Sequence, residues 1–425
     1  MITEYIKKHW DSCVRFNAAD CGTLIGLPYP YIVPVSTESK VGFNELYYWD
    51  TYFTCKGLLL SGRGELAKNC VDNIIYLVNK YGYMPNGNRT FFLNRSQPPF
   101  LSMMVMDIFC LYNDKDWLKY AYEVLEQEYK FWMTERCTPI GLNQYGSNTS
   151  MLRDVEDEFY RLVCKRLGKQ LPEDKKTEIV ENFLVDAESG WDFNPRADIL
   201  QKKYTVHIDL NCNLYLYEKN FAHFSRILQN GEEEKWESAA DYRKMLINQY
   251  LWNGEMFLDY NYKSSEHSKV FSAASFFALW TGVATKTQAN MMLNQLNKIE
   301  FAYGISACCQ NDAKENYQWD YPAGWPPLQY IVVSGLDRYG YINDAVRVAQ
   351  KYVSTTENLY KKTGHLWEKY NVVTGSETIE AEYGSKEMMG WTAGVYMFLK
   401  NYISASNYDK SIDKEDLAEI NEKYI

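Results

Sequence analysis

The stretch Leu118-Lys-Tyr-Ala121-Tyr122-Glu-Val-Leu125-Glu-Gln-Glu-Tyr129-Lys-Phe-Trp132 repeats its apolar residues at intervals of three and four. At 3.6 residues per turn, Leu118, Ala121, Tyr122, Leu125, Tyr129 and Trp132 share one face, the pattern of a helix laid on a core. Leu66, Cys70, Ile74, Leu77, Val78 and Tyr81 repeat it. Comparable spacing predicts helices over residues 49–60, 97–111, 159–167, 211–228, 235–251, 271–281, 287–296, 327–339, 343–360 and 388–402. Turn formers separate them, as in Pro85-Asn86-Gly87-Asn88 and Tyr321-Pro-Ala-Gly-Trp325. Alternating strand patterns are scarce; residues 90–93 and 257–260 are read as short hairpin arms. The charged cluster at 173–178 and the tail at 410–423 are read as solvated helix faces. The fold class expected is all-α, and the spacing leaves a closed toroid and an open array of helical hairpins equally available.

Composition narrows the partners. The chain has 425 residues, 45 basic against 55 acidic side chains, and 67 aromatics, 36 of them Tyr. A net charge of -10 without a basic stripe argues against nucleic acid. The longest near-apolar run, 100–110, is interrupted by Ser102 and Asp107 and is far shorter than the roughly 20 residues of a membrane span. The first nine residues, Met1 to His9, show no apolar signal segment. Ten Cys occur without a C-x-x-C spacing, which suits reduced thiols. These features lead to the expectation of a cytoplasmic protein. No linker or low-complexity tract marks a boundary, so 1–425 is expected to be one domain.

No sequence signal supports metal, phosphate or dinucleotide chemistry: the five His form no H-x-H or H-E-x-x-H, and there is no P-loop, nucleophile elbow or G-x-G-x-x-G in a strand–helix setting. Carboxylates set among aromatic loops remain. Sugar rings offer apolar faces rimmed by hydroxyls, so a carbohydrate site uses Trp and Tyr platforms together with Asp, Glu, Asn, Gln and Arg. Four segments combine those types: Glu45-Leu-Tyr-Tyr-Trp-Asp50; Asn86-Gly-Asn-Arg-Thr-Phe-Phe-Leu-Asn-Arg-Ser-Gln-Pro-Pro99; Glu188-Ser-Gly-Trp-Asp192; and Gln318-Trp-Asp-Tyr-Pro-Ala-Gly-Trp-Pro-Pro327.

These segments closely resemble the trehalase family of glycoside hydrolases, family 37. The likeness continues through Asp209-Leu-Asn211, Glu368-Lys-Tyr370, Glu382-Tyr383 and Gly390-Trp-Thr392, spanning roughly 25–400 in family order. It implies a single (α/α)6 barrel with its site in the loops at one end. The implied reaction is an inverting hydrolysis that needs no metal or cofactor. By that likeness Asp192 is the general acid and Glu368 the general base. Phe43, Tyr47, Trp49, Asp50, Gln97, Trp325 and Glu382 line the glucose subsite, and Asn86 and Arg95 reach the substrate from the second loop. The expected partner is a small neutral oligosaccharide or glucoside, bound by a monomer or weak oligomer. Arg89 is read equally as a ligand and as a loop-stabilising ion-pair partner.

Two departures from the family pattern stand out. Trehalases carry Arg before the first-motif Phe, where this chain has Val41-Gly42-Phe43; and after Gly141-Leu-Asn-Gln-Tyr145 it has Ser150-Met-Leu-Arg-Asp154 in place of Arg-Pro-Glu-Ser. By the likeness those side chains clamp the leaving-group sugar, so the attacked-sugar subsite is expected to be kept and the leaving-group subsite remodelled, with Arg153 a weak candidate replacement. Two alternatives accompany that expectation. One is hydrolysis of a charged glucoside or mannoside such as glucosylglycerate or mannosylglycerate, with Arg89, Arg95 or Arg153 on the anion. The other is a non-catalytic sugar-binding protein derived from a trehalase.

Overall fold

The computed structural model describes residues 2–36, 43–148, 156–313, 315–381 and 383–409. In chain order its helices are α1 (Ile2–His9), α2 (Tyr48–Leu60), α3 (Gly64–Tyr81), α4 (Leu101–Tyr112), α5 (Lys115–Glu135), α6 (Glu156–Leu167), α7 (Lys176–Ser189), α8 (Ile208–Leu228), α9 (Glu233–Tyr250), α10 (Phe277–Trp280), α11 (Lys286–Gln295), α12 (Pro326–Arg338), α13 (Ile342–Thr363) and α14 (Gly390–Asp409). Six of them form an inner ring: α2 packs on α4, α4 on α8, α8 on α10, α10 on α12, α12 on α14, and α14 returns to α2. Outside it run α3, α5, α9, α11 and α13, with α1 set against α13 through Tyr5 and Tyr360, whose rings lie 4.9 Å apart. The architecture is the (α/α)6 toroid, closed rather than open.

Residue choice sorts inner from outer. α2 is buried around nearly its whole girth, from Tyr48 to Cys55, and so is surrounded by other helices. α13 buries only one stripe, including Ala345, Val348, Ala349, Tyr352 and Val353, and gives its other face to solvent. Where α14 meets α2, glycines let the backbones touch. A Cβ on Gly394 would overlap the Phe53 carbonyl oxygen and stand 2.8 Å from its carbon, while one on Gly57 would stand 2.7 Å from Gly394 Cα. Gly394→Ala should therefore cost at least ~3 kcal/mol by overpacking. Gly384→Ala, with open space around its Cβ position, should change stability by less than ~1 kcal/mol. Urea unfolding of the two variants tests the contrast.

Several expected elements differ. The helix expected from residue 97 begins at Leu101, because Pro98 and Pro99 hold the preceding segment extended. Residues 90–93 form no hairpin arm: Thr90–Phe92 is a 3-10 turn closed by Phe92 N–H to Arg89 O and Leu93 N–H to Thr90 O. Tyr260–Asn261 does pair antiparallel with Glu266–His267. The helix expected over 271–281 is a 3-10 turn, Ala273–Phe276, followed by the short α10. α1 and α7 had no counterpart in the periodicity. α7 buries nearly every residue from Ile179 to Ser189, polar ones included, which erases the apolar stripe. With α6 it forms a hairpin that has its own apolar cluster around Tyr160, Val163, Ile179 and Phe183. The tail 410–423 lies outside the described residues.

Candidate active site

The candidate acid sits in a sharply bent loop. α7 ends at Gly190, whose φ of +72° is the left-handed cap that glycine allows. The missing side chain also admits Trp49: a Cβ on Gly190 would lie 2.9 Å from its Cε2. Three residues on, Phe193 holds φ at +60°, an unusual conformation for a bulky side chain. Its carbonyl accepts Gln318 N–H at 2.9 Å and Trp319 N–H at 3.3 Å, joining this loop to the Gln318–Trp325 segment. Asp192 stands between the two left-handed residues, half-buried. Such strain persists only where the surroundings over-determine the turn.

Buried ion pairs hold that loop from behind. Arg196 donates to Asp259 through Nε (2.7 Å) and Nη2 (2.8 Å) and to Asp209 through Nη2 (2.7 Å), and its guanidinium lies 4.6 Å from the Trp191 ring centroid. Lys202 donates to Asp186 at 2.6 Å, and Asn194 Nδ2 donates to the same carboxylate at 3.0 Å. Glu188 takes both arms of Arg136, at 2.7 and 2.9 Å, and also the amides of Ser96 and Gly146. It thus ties the end of α7 to the Arg95 loop. None of these supporting roles was expected from the sequence, although Glu188 and Asp209 lie inside the quoted motifs.

The floor is tryptophan. Trp319 and Trp325 stack at 3.8 Å between centroids; Trp49 and Trp191 tilt against Trp319 at 5.6 and 5.2 Å; Trp391 stands edge-on to Trp49 and Trp325 at 6.0 and 5.8 Å. Trp49 and Trp325 are 2% and 1% exposed, so they back the site and offer little open face. Trp319 and Trp391 complete this floor without having been singled out as site residues.

Asp50 occupies the first turn of α2 and is enclosed beside two other carboxyls. Burial pushes it up to about 8, and Glu368 and Asp192 add to the rise, against its own backbone amide. Arg95, buried and drawn downward by desolvation, is opposed by Asp192, Glu188 and Tyr47. Through these interactions Asp50, Asp192, Glu368, Arg95 and Tyr47 form one charge neighbourhood. Glu368 accepts Tyr383 Oη–H on Oε1 at 3.2 Å and contacts Lys369 Nζ at 3.1 Å through Oε2.

Other expected residues gather at its edge. Tyr47 donates its hydroxyl to Glu45 at 3.1 Å, and its ring meets Phe43 edge-on at 6.0 Å. Gln97 uses its carbonyl oxygen to accept Tyr48 and Trp49 N–H at 3.1 and 3.3 Å, capping α2 and leaving its amide NH2 as the group able to face a ligand. Asn86 is buried, and its backbone amide donates to Arg95 O at 3.0 Å. Arg89 pairs with Glu45 at 2.6 Å, which is the ion-pair contact of its two readings. Val41, Gly42, Arg153 and Glu382 lie outside the described residues.

Asp50 makes a measurable prediction. An unfolded Asp releases its proton near 3.8, whereas the folded one holds it to about 8. Folding therefore favours the protonated form, and the Asp50 contribution to stability falls as pH rises from about 4 through 8, by up to ~5 kcal/mol. Asp50→Asn removes the ionisation, so its melting temperature should exceed the wild-type value by a margin that grows between pH 5 and 9. A constant difference across that range would contradict the shift.

A family model described as Trehalase matches residues 1–403. The periplasmic trehalase of Shigella flexneri serotype 5b is 31% identical over 95% of this chain and 74% of its own length. The chain belongs to the trehalase family. It is a glycosidase by that membership. A probable trehalase of Eremothecium gossypii is 33% identical over 88% of this chain, which spans only 58% of that longer relative. Among solved structures, the neutral trehalase of Saccharomyces cerevisiae superposes with a TM-score of 0.75 at 30% identity, covering 94% of this trehalase-family chain and 80% of the yeast one. A mannosylglycerate hydrolase of family 63 from Thermus thermophilus, solved with glucose, gives 0.65 at 13% identity and shares the fold. Among the described residues no helix is long and apolar enough to cross a membrane.

Proposed function

We propose that the chain hydrolyses the α-glucosidic bond of trehalose or a related small α-glucoside with inversion, Asp192 acting as general acid and Glu368 as general base. What supports this reading is that Asp192 and Glu368 both act electrostatically on the buried Asp50, and that Trp49 and Trp191, the chain neighbours of Asp50 and Asp192, both pack on Trp319. In the reaction the Glu368 carboxylate takes a proton from water as its oxygen attacks the anomeric carbon. The glycosidic C–O bond breaks, and the departing oxygen takes the Asp192 proton. Inversion requires the two carboxyls to stand roughly 6.5–9.5 Å apart, leaving room for that water. Asp50, neutral below about 8, donates a hydrogen bond to a hydroxyl of the attacked ring, with Arg95, Asn86 and the Gln97 amide around it. Phe43 and Tyr47 supply apolar contact, with Trp49 and Trp325 behind them, and Glu382 supplies a further hydroxyl ligand. We take 1–425 as one catalytic domain, since one connected apolar core runs from Ile2 to Leu399.

Proton NMR of a panel of α-linked disaccharides and glucosides tests the reading: the first product from the attacked ring should be β-glucose, and α-glucose first would overturn inversion. A trehalose kcat/KM above about 10⁴ M⁻¹s⁻¹ would refute the remodelled leaving-group subsite and leave the reaction standing. Arg89 is engaged with Glu45, which weighs against an anionic leaving group. A binding-only protein would have no use for the acid and base. The ten cysteines are all unpaired, which supports a cytoplasmic address even though relatives carry a periplasmic name.

A further inference from the structure

Lys369 is fully buried, where an ammonium is costly unless it is paired. Its Nζ lies 3.1 Å from Glu368 Oε2, 3.7 Å from the centroid of the Tyr383 ring and 4.7 Å from that of Trp325. Aromatic faces attract such a cation. Tyr383 donates its hydroxyl to the other oxygen, Glu368 Oε1, at 3.2 Å. The backbone beneath is pinned as well: Trp391 Nε1–H donates to Glu368 O at 3.1 Å, Glu368 N–H to Lys386 O at 2.8 Å, and Ser385 Oγ–H to Lys369 O at 2.6 Å. Each carboxylate oxygen therefore has its own partner, and those partners contact each other.

We infer that Lys369 and Tyr383 form a two-point clamp that sets the plane of the Glu368 carboxylate, making both of them positioning residues for water activation. The inference rests on Glu368 being the base. Neither clamp residue changes a bond: the proton moves from water to Glu368, and Lys369 and Tyr383 keep theirs. Their effect is angular, because a general base works only when a lone pair points along the water O–H, and a misplacement of about 1 Å costs on the order of 100-fold in rate.

The test uses the full chain with Lys369→Met, Tyr383→Phe, Glu368→Gln and each pair with Glu368→Gln, reading kcat, KM and melting temperature on the best substrate of the panel. Lys369→Met should lower kcat about 10–100-fold and Tyr383→Phe about 3–30-fold, with KM changed by less than about 3-fold. Because both act through Glu368, either pair should be no slower than Glu368→Gln alone. Losses that multiply in the double variants, or kcat within about 2-fold of wild type in both single variants, would overturn the clamp. Full turnover by Glu368→Gln would overturn the base assignment and the clamp with it. If Lys369→Met does not fold, Tyr383→Phe, which keeps the ring against the ammonium, decides the matter by the same comparison.

Discussion

Glu368→Gln should lose about 10³–10⁴-fold in kcat on an α-glucoside, and it should lose a similar factor on α-glucosyl fluoride. The two substrates separate base from acid. Fluoride leaves as an anion and needs no proton, yet the attacking water must still be deprotonated. Asp192→Asn should therefore lose about 10²–10⁴-fold on the α-glucoside and recover most of it on the fluoride. Recovery by Glu368→Gln, with none by Asp192→Asn, would exchange the two roles. Gln at 368 also removes the carboxylate against Lys369 Nζ, so its melting temperature should fall, and kcat is to be compared well below that transition.

Arg196→Met should be the most damaging single change to stability, at about 3–5 kcal/mol. The side chain is 1% exposed and satisfies two carboxylates, Asp209 and Asp259, that are equally buried. Asp259 also accepts Ile208 N–H at the start of α8. Removing the guanidinium leaves two enclosed negative charges facing each other, which costs much more than the pairs themselves contribute. Combining Arg196→Met with Asp259→Asn should recover part of the loss. A loss below ~1 kcal/mol in urea unfolding would mean that the carboxylates find other partners. Because Arg196 also lies over Trp191, activity should fall in the variant even where it remains folded.

The helical class was legible because the outer helices must bury a single stripe: the Leu118–Trp132 face reappears as the buried face of α5. α7 escaped that reading, since Asn182, Asp186, Glu188 and Ser189 are buried beside its apolar residues and break the period. The closure of α14 on α2 depends on shape at Gly57 and Gly394, a property that periodicity does not carry. At the site, the second and fourth segments both meet α2, where Gln97 accepts Trp49 N–H and Trp319 tilts on the Trp49 ring. The electrostatic coupling of Asp50 to Asp192 and Glu368 arises only when three segments distant in sequence meet. Lys369 and Arg196 were overlooked for a simple reason: an isolated Lys or Arg in a sequence is nearly always solvated, and only the surrounding fold shows these two enclosed.

The inner ring closes on its last helix, and this has a consequence for the making of the chain. Synthesis proceeds from the N-terminus, and early segments fold while later ones are still being added. Asp50 and Asp192 emerge in the first half, but Glu368 and Tyr383 follow α13, and Trp391 arrives with α14, the element whose glycine must slide against Phe53 to seal the circle. A nascent chain that ends with α13 holds the proposed acid and lacks the proposed base. If Asp192 and Glu368 act as proposed, activity reports that the ring has closed.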